Sequence, residues 1–226
     1  MKHSHLVLLS LLPIIATLLL PLVTFAQNTE HVKTVVLDAG HGGRDLGAVG
    51  YANEAEVNLS IAKKVRALLE AEGINVVMTR EDDSYVELEQ RVKFAEGADV
   101  FLSLHARAGP NSTMNGIATW FSRPLEIAFS MDEVEYIDSS TESKDVDLAE
   151  LTLAHELQAE LINSTGAKNR GTRENNFYVL QNVQVPSIMV DMGFVSNPEE
   201  GAKLATNAYQ QTLAEAIAKT LVDYLE

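Results

Sequence analysis

The stretch 35–50 reads VVLDAGHGGRDLGAVG and places a short apolar strand directly before a glycine-rich loop. The strand pattern ends at Asp38, and His41 then stands among five glycines. Glycine tolerates positive φ and lets other groups approach the main chain closely, so a strand that ends in such a loop can present an imidazole at a cleft. A flexible turn with an incidental histidine is the competing interpretation, because a glycine-rich loop alone is weak evidence of a site.

Outward from this stretch, short β-branched runs alternate with longer segments of helical periodicity. The apolar residues between Val57 and Leu69 recur at the spacing of a helix with one buried face, and Gly73 ends that helix. Strands separated by helices predict a single α/β domain whose twisted, mostly parallel sheet of about six strands carries helices on both faces. The predicted strands are 34–38, 74–79, 99–104, 116–121, 176–181 and 187–191, and the predicted helices are 57–69, 86–95, 147–164 and 207–225, with a capped helical turn at 197–200.

Residues 1–26 have the features of a secretory signal peptide. A basic start at Lys2 precedes a nearly continuous apolar run, and Ala26 is a small residue followed by polar ones. We expect cleavage between Ala26 and Gln27, which would export the domain 27–226, with its core at 33–226, to the periplasm or the cell wall. An uncleaved membrane anchor is the competing interpretation, because the apolar run approaches the length that spans a bilayer.

The composition argues against several classes of partner. The chain has 17 Lys and Arg against 32 Asp and Glu, for a formal net charge of −15. It therefore lacks the basic patch that nucleic-acid binding requires, and we expect no stable membrane association once the signal is removed. The cysteine count is 0, so an exported domain must rely on its core and not on disulfides.

The segment 122–147 is rich in Asp and Glu and has no clear periodicity. A solvated surface loop is the first interpretation. A short amphipathic element is the second, because apolar residues are interspersed among the acids. A third is a gate that folds over the cleft and places one carboxylate on a metal.

Polar side chains gather at the carboxyl ends of the predicted strands, where the functional crevice of an open α/β sheet lies. His41 follows the first strand, His105 follows the third, and Asp191 ends the last, while Glu54 precedes the first helix on the same side. Two imidazoles, one carboxylate and an open position are typical of a catalytic zinc site, and a further carboxylate can act as general base. Because the spacing of these residues carries no metal signature of its own, residue types and placement alone leave zinc binding open.

Four motifs in order resemble the zinc-dependent N-acetylmuramoyl-L-alanine amidases of the amidase 3 type. They are LDAGHGG at 37–43, Glu54 ahead of VNL at 57–59, SLHA at 103–106 and VDMGFVSNP at 190–198, with NRG at 169–171 and NFYVL at 176–180 in addition. The resemblance runs from about Lys33 to the C-terminus. It implies that His41, Glu54 and His105 bind one Zn²⁺ and that Asp191 is the catalytic carboxylate. The implied reaction, on peptidoglycan, cuts the amide between the lactyl group of N-acetylmuramic acid and L-alanine.

One residue departs from the family pattern, because members carry Glu where this chain has Asp191. The acid is shorter by one C–C bond of about 1.5 Å, and a general base must come within about 2.6–3.2 Å of the proton it takes, or act through one water. The departure predicts an amidase of reduced activity. The alternative is a catalytically weak or inactive protein that binds peptidoglycan or has a regulatory role. Glu199 and Glu200 are nearby acids, but they have the position of first-turn helix residues favoured by the helix dipole.

Two other residues have mainly structural interpretations. Trp120 is expected to pack in an apolar strand. The alternative is that its ring provides a surface on which a sugar stacks. Asp38 is expected to hydrogen-bond the loop or a ligand imidazole. The sequence shows no appended wall-binding repeat, so affinity for peptidoglycan must reside in the cleft or in a partner, and a protein activator stays open.

Overall fold

The strand before the glycine loop lies inside the sheet of the computed structural model, between two parallel neighbours. The structure describes residues 31–122 and 143–226, so the predicted signal peptide and most of the segment 122–147 lie outside the described residues. The six described strands are β1 (Thr34–Ala39), β2 (Asn75–Met78), β3 (Val100–Arg107), β4 (Ile117–Phe121), β5 (Asn169–Glu174) and β6 (Ser187–Phe194). Their order is β2-β1-β3-β6-β4-β5, and only the β4–β6 pair is antiparallel. The predicted fold class is confirmed.

Helices cover both faces of this sheet. They are α1 (Glu54–Ala71), α2 (Leu88–Phe94), α3 (Ser143–Thr165), α4 (Tyr178–Asn182), α5 (Pro198–Leu204) and α6 (Asn207–Leu225). The larger core lies under α1, α3 and α6, and the smaller core lies under α2 and α4. In the part of the chain that the structure describes, no helix combines the length and the apolar character needed to cross a membrane.

The start of α1 shows how the local sequence builds one of these helices. The side chain of Asn53 accepts a hydrogen bond from the amide of Glu56, which satisfies one of the free donors of the first turn. Ile61, Val65 and Leu69 then follow at helical spacing and are fully buried against the sheet. Each such side chain contributes about 1.5–3 kcal/mol on burial.

The alternation along β3 determines which face carries the polar residues. Leu102 and Leu104 belong to the larger core, so Ser103 and His105 point to the opposite face. The register pairs His105 with Asp191 of β6, so these two side chains are neighbours on that face. Both residues were expected to stand at strand ends, but β3 continues to Arg107 and β6 to Phe194.

Two details of the predicted elements are wrong. Residues 176–181 were predicted to be a strand, but Tyr178–Asn182 form α4, because a short apolar run does not distinguish a buried strand from a buried helical turn. The sixth strand is β5, Asn169–Glu174, a largely polar edge strand whose sequence has no apolar alternation.

Candidate metal centre

The loop after β1 has an unusual backbone at His41. Its φ is 65°, and within the described ranges it is the only residue other than glycine with a positive φ. Gly42 and Gly43 follow with φ of 123° and 58°. Non-glycine residues in this region are strained and persist only where the surroundings hold them, which is common at functional sites.

Two buried arginines hold this loop. Arg80 donates to the carbonyls of Ala39 and Gly40 at 2.8 and 3.1 Å. Arg91 donates to the carbonyl of His41 at 2.9 Å. The strained conformation of the loop therefore depends on side chains that lie forty to fifty residues away in sequence, and the sequence pattern did not single them out.

Asp38 supports the loop through Arg91. Its buried carboxylate accepts hydrogen bonds from Arg91 at 2.5 Å, from Thr79 at 2.8 Å and from Ser103 at 2.7 Å. Burial alone would raise the pKa of Asp38, but the guanidinium of Arg91 and the hydrogen bonds lower it overall. Asp38 is therefore a carboxylate at neutral pH. It is connected to the loop through the guanidinium of Arg91 and not through a ligand imidazole.

His41, Glu54 and His105 converge where β1, α1 and β3 meet. The Oε1 atom of Glu54 lies 3.2 Å from Nε2 of His41 and 3.0 Å from Nδ1 of His105. One ligand atom from each of the three residues lies within 4.8 Å of those of the other two. The two imidazole rings meet edge to face, with centroids 4.9 Å apart. The three residues singled out from the sequence thus form a single cluster of nitrogen and oxygen donors.

Glu54 is the buried member of the cluster. It is 3% exposed, and its carboxylate also accepts hydrogen bonds from the amides of Ala48 at 2.7 Å and Ala106 at 3.1 Å. Burial alone would raise the pKa of Glu54, but the hydrogen bonds and charges of His105 and His41 and the amide of Ala48 lower it well below its usual range. The group is therefore ionised at neutral pH, as a metal ligand must be.

Asp45 orients the imidazole of His41. Its Oδ2 atom lies 2.9 Å from Nδ1 of His41, on the opposite side of the ring from Glu54. Burial lowers the pKa of His41, but the hydrogen bonds and charges of Glu54 and Asp45 raise it overall. Metal-binding histidines commonly have such a carboxylate on the second ring nitrogen, which sets the tautomer. Sequence reasoning missed Asp45, although an acid four residues after a loop histidine is a usable signal.

Comparison with known proteins places this chain in a family. The model of the amidase 3 family, described as N-acetylmuramoyl-L-alanine amidase, matches residues 35–223. The chain belongs to the amidase 3 family. It is 35% identical to the uncharacterised protein YqiI of Bacillus subtilis over 92% of this chain and 94% of that protein. It is 32% identical to the N-acetylmuramoyl-L-alanine amidase AmiA of Escherichia coli over 88% of this chain and 78% of AmiA.

A solved structure supports the same assignment. The catalytic domain of CwlV, an N-acetylmuramoyl-L-alanine amidase from Bacillus (Paenibacillus) polymyxa, superposes with a TM-score of 0.73 and 34% identity. The match covers 86% of this chain and 98% of that domain. The single α/β domain expected from the sequence is therefore the catalytic-domain fold of the amidase 3 family.

Asp191, the acid that the sequence predicts to be catalytic, lies outside the cluster of three. It is 2% exposed, and both of its oxygens lie 2.5 Å from Nε of Arg107. Its Oδ2 atom also accepts a hydrogen bond from the indole Nε1 of Trp120 at 2.6 Å. Trp120 was expected to be a packing residue, and its ring does meet Phe177 edge to face. The sequence did not indicate that its N–H binds the acid.

Glu200 was expected to be a first-turn helix residue, and it has a second role. It is 8% exposed, and its carboxylate accepts hydrogen bonds from the amides of Gly116 at 2.8 Å and Phe194 at 2.7 Å. Burial raises the pKa of Glu200 although these amides lower it. Its oxygens thus bind the main chain just before β4 and at the end of β6, whereas Glu199 is exposed. The capped turn is confirmed, because the side chain of Asn197 accepts hydrogen bonds from the amides of Glu199 and Glu200.

A cleft of about 310 Å³ opens beside the cluster. His41 and His105 lie on one side of it, and Tyr85, Phe177 and Tyr178 form much of its wall. The side chain of Leu88, which is 47% exposed, also lines this cleft. The two imidazoles therefore face a largely apolar, aromatic groove that a ligand can enter.

Proposed function

We propose that this protein is a zinc-dependent N-acetylmuramoyl-L-alanine amidase of the cell wall. Its substrate is peptidoglycan, and the bond cleaved is the amide between the lactyl group of N-acetylmuramic acid and L-alanine of the stem peptide. The observation that carries the proposal is the convergence of His41, Glu54 and His105 in a chain of this family. The amidase names of AmiA and CwlV support the same reaction.

The donor set fits one zinc ion. Two imidazole nitrogens and a carboxylate oxygen are a common catalytic set, and ligands about 2.1 Å from a tetrahedral zinc lie about 3.4 Å from one another. The observed separations of 3.2 and 3.0 Å are close to that value. The ionised Glu54 provides the negative charge that would compensate the cation.

The side chains around the cluster have distinct tasks in the proposed reaction. When bound, zinc supplies a Lewis acid that polarises the amide carbonyl and acidifies water. Asp191 accepts a proton from the attacking water on its carboxylate and returns it to the amide nitrogen that leaves with the peptide. The cleft beside His41 and His105 holds the segment that carries the scissile amide, and its aromatic walls restrict water around it.

Release of peptides is the direct test of this function. Purified peptidoglycan incubated with the zinc-loaded protein should yield stem peptides with a new N-terminal L-alanine, measured by mass spectrometry after amine labelling. Chelation should stop the release, and added zinc should restore it. Intact glycan–peptide linkages after incubation with the zinc-loaded protein would refute the proposal.

As a second candidate function, the protein is catalytically weak and either binds peptidoglycan or has a regulatory role. The observation that favours it is the pairing of both Asp191 oxygens with Arg107, in addition to the hydrogen bond from Trp120. Binding to glycan with turnover no faster than that of an Asp191→Ala variant would support this candidate. Turnover that falls on Asp191→Ala supports the amidase.

The proposed substrate requires export, and residues 1–26 are the segment proposed to direct it. We expect the exported protein to begin at Gln27, in the periplasm or at the cell wall. N-terminal sequencing of protein recovered from that compartment tests the cleavage site. Protein retained in the membrane fraction with Met1 present would instead support the uncleaved anchor.

Replacement of Asp45 by alanine should weaken zinc binding by about 10- to 100-fold, because His41 loses the carboxylate that orients it. Competition with a fluorescent chelator would measure the dissociation constant. Asp83→Ala is a matched control, because among the described residues Asp83 accepts a hydrogen bond from the Gly43 amide of the same loop and does not contact the imidazole. Equal zinc affinities of the two variants would contradict the role of Asp45.

Replacement of Gly40 by alanine should displace His105. A Cβ atom at position 40 would lie 2.4 Å from Nε2 of His105, which no real contact tolerates. We expect zinc affinity to fall on the order of 10-fold or more, since a ligand is moved. Gly166→Ala is the control, because Gly166 has a φ of 64° and no atom of the described residues lies within 4 Å of the added Cβ, so the change strains the backbone without touching the site. Unchanged zinc affinity in Gly40→Ala would contradict the steric argument.

A further inference from the structure

Asp191, Arg107 and Trp120 form one hydrogen-bonded group across three strands. Asp191 lies in β6, next to His105 of β3 and opposite Ala118 of β4 in the strand register. Arg107 follows His105 by two residues and Trp120 follows Ala118 by two, so both point to the same face as the acid. The neighbouring strands on each side thus supply one donor to the carboxylate.

The guanidinium of Arg107 is itself held in place. Its Cζ atom lies 5.5 Å from the ring centroid of Trp120 and 5.0 Å from that of Phe177. The two rings meet edge to face with centroids 5.6 Å apart. A cation between aromatic rings is stabilised by their quadrupoles and loses much of its rotational freedom. Arg107 is therefore a fixed donor, although its side chain is 35% exposed.

The same contacts leave little room for a longer acid at position 191. Asp191 is 2% exposed, and its nearest donors are already at 2.5 and 2.6 Å. A glutamate would extend the side chain by about 1.5 Å. With the backbone unchanged, its carboxylate would collide with the guanidinium or the indole, and one of these side chains would have to move.

We propose that Arg107 and Trp120 are positioning residues for Asp191, and that the acid is short because these two donors occupy the space that a longer one needs. The effect on catalysis rests on the proposed amidase function. Arg107 and Trp120 act through the carboxylate: they select one orientation of it and keep that orientation in the free enzyme.

Substitutions at Arg107 test this role in the zinc-loaded protein. Arg107→Met keeps an apolar stem but removes the donor, and kcat should fall about 10- to 100-fold, because small misplacements of a catalytic group have effects of that size. KM should change by less than about 2-fold, since substrate binding is not the step affected. Arg107→Lys should recover part of the loss, and Trp120→Phe, which keeps a ring without the N–H, should lower kcat about 10-fold.

The chain offers a matched control in Arg173. Its Cζ atom also lies near the Trp120 ring, at 5.7 Å, but its Nε donates to the carbonyl of Arg170 and not to Asp191. Arg173→Met should therefore leave kcat unchanged. An Arg107→Met variant with wild-type kcat, or one in which only KM rises, would overturn the inference.

The fit of the acid is tested by lengthening it. Asp191→Glu should be less active than the wild type, and the double variant Asp191→Glu/Arg107→Met should be more active than Asp191→Glu alone, because the second change makes room. Wild-type or higher activity of Asp191→Glu with Arg107 in place would overturn the inference. Zinc stoichiometry and the urea unfolding midpoint of each variant show that the site and the fold are retained.

A double-mutant cycle separates this inference from the proposed function. Trp120 is the single tryptophan of the sequence, so its emission reports urea unfolding without interference. The midpoint shifts of Arg107→Met and Asp191→Ala should be non-additive, whereas those of Arg173→Met and Asp191→Ala should add. If the wild type released no peptide, the amidase proposal would fail while this cycle still tested the contact. Additive shifts for Arg107 and Asp191 would overturn the inference whatever the activity.

Discussion

Replacing Glu54 by glutamine is expected to abolish stoichiometric zinc binding and to lower peptide release by about 1,000-fold or more, since a lost Lewis acid costs several kcal/mol of transition-state stabilisation. The amides of Ala48 and Ala106 bind different oxygens of Glu54, so the single oxygen of the glutamine side chain can still accept one of these two hydrogen bonds. A glutamine cannot provide the charge that would hold a cation between His41 and His105. Zinc content by elemental analysis and release of N-terminal L-alanine measure the two effects.

Glu56→Gln provides the control for this experiment. Glu56 lies in the same first turn of α1 but is exposed, and no contact joins it to His41 or His105 in the described residues. Its replacement removes the same charge from the same helix end without touching the cluster. Full zinc occupancy in Glu54→Gln, or equal losses in both variants, would show that Glu54 is not a ligand.

Replacing Arg91 by methionine is expected to destabilise the fold by about 3–5 kcal/mol, because it leaves a buried charge without its partner. Asp38 would retain only the hydroxyls of Thr79 and Ser103. The carbonyl of His41 would lose its donor as well. Against a typical total stability of about 5–15 kcal/mol, the loss is large. Urea unfolding at pH 7 measures it, and zinc binding should weaken together with stability because the loop is released.

The control is Arg66→Met, which removes a partly exposed arginine paired with the exposed Glu81 at 2.7 Å. Such surface pairs contribute about 0–1 kcal/mol, so the midpoint should hardly move. The double variant Asp38→Asn/Arg91→Met should recover part of the stability, because the uncompensated charge is then absent. A loss in Arg91→Met no greater than that in Arg66→Met would contradict the buried-pair argument.

The pH dependence of the same pair follows from the lowered pKa of Asp38. A carboxyl group whose pKa is lower in the folded state than in the unfolded chain adds stability above its unfolded value, about 4, and loses it as the pH falls through the folded value. The stability difference between the wild type and Arg91→Met should therefore be largest near neutral pH and shrink in acid.

Much of the fold was predictable because its signals are local. The helical spacing of Ile61, Val65 and Leu69 and the β-branched run before the glycine loop depend only on neighbours in sequence. Local sequence signals gave the wrong secondary structure where tertiary packing determines it. Residues Asn169–Glu174 form a strand despite their polar sequence because β4 offers them a free edge. The apolar residues of α4 form a helical turn that packs onto the smaller core.

The sequence by itself determined the sheet class, the family and the identity of the three clustered donors, since these are carried by periodicity and by ordered motifs around His41, Glu54 and His105. Only the tertiary structure decided how the loop and the acid are held. Arg91 reaches His41 across fifty residues, and Arg107 reaches Asp191 across eighty-four. Such partners are brought together by strand register and loop packing, which no local pattern encodes. The fold therefore decides how the carboxylate at position 191 is oriented.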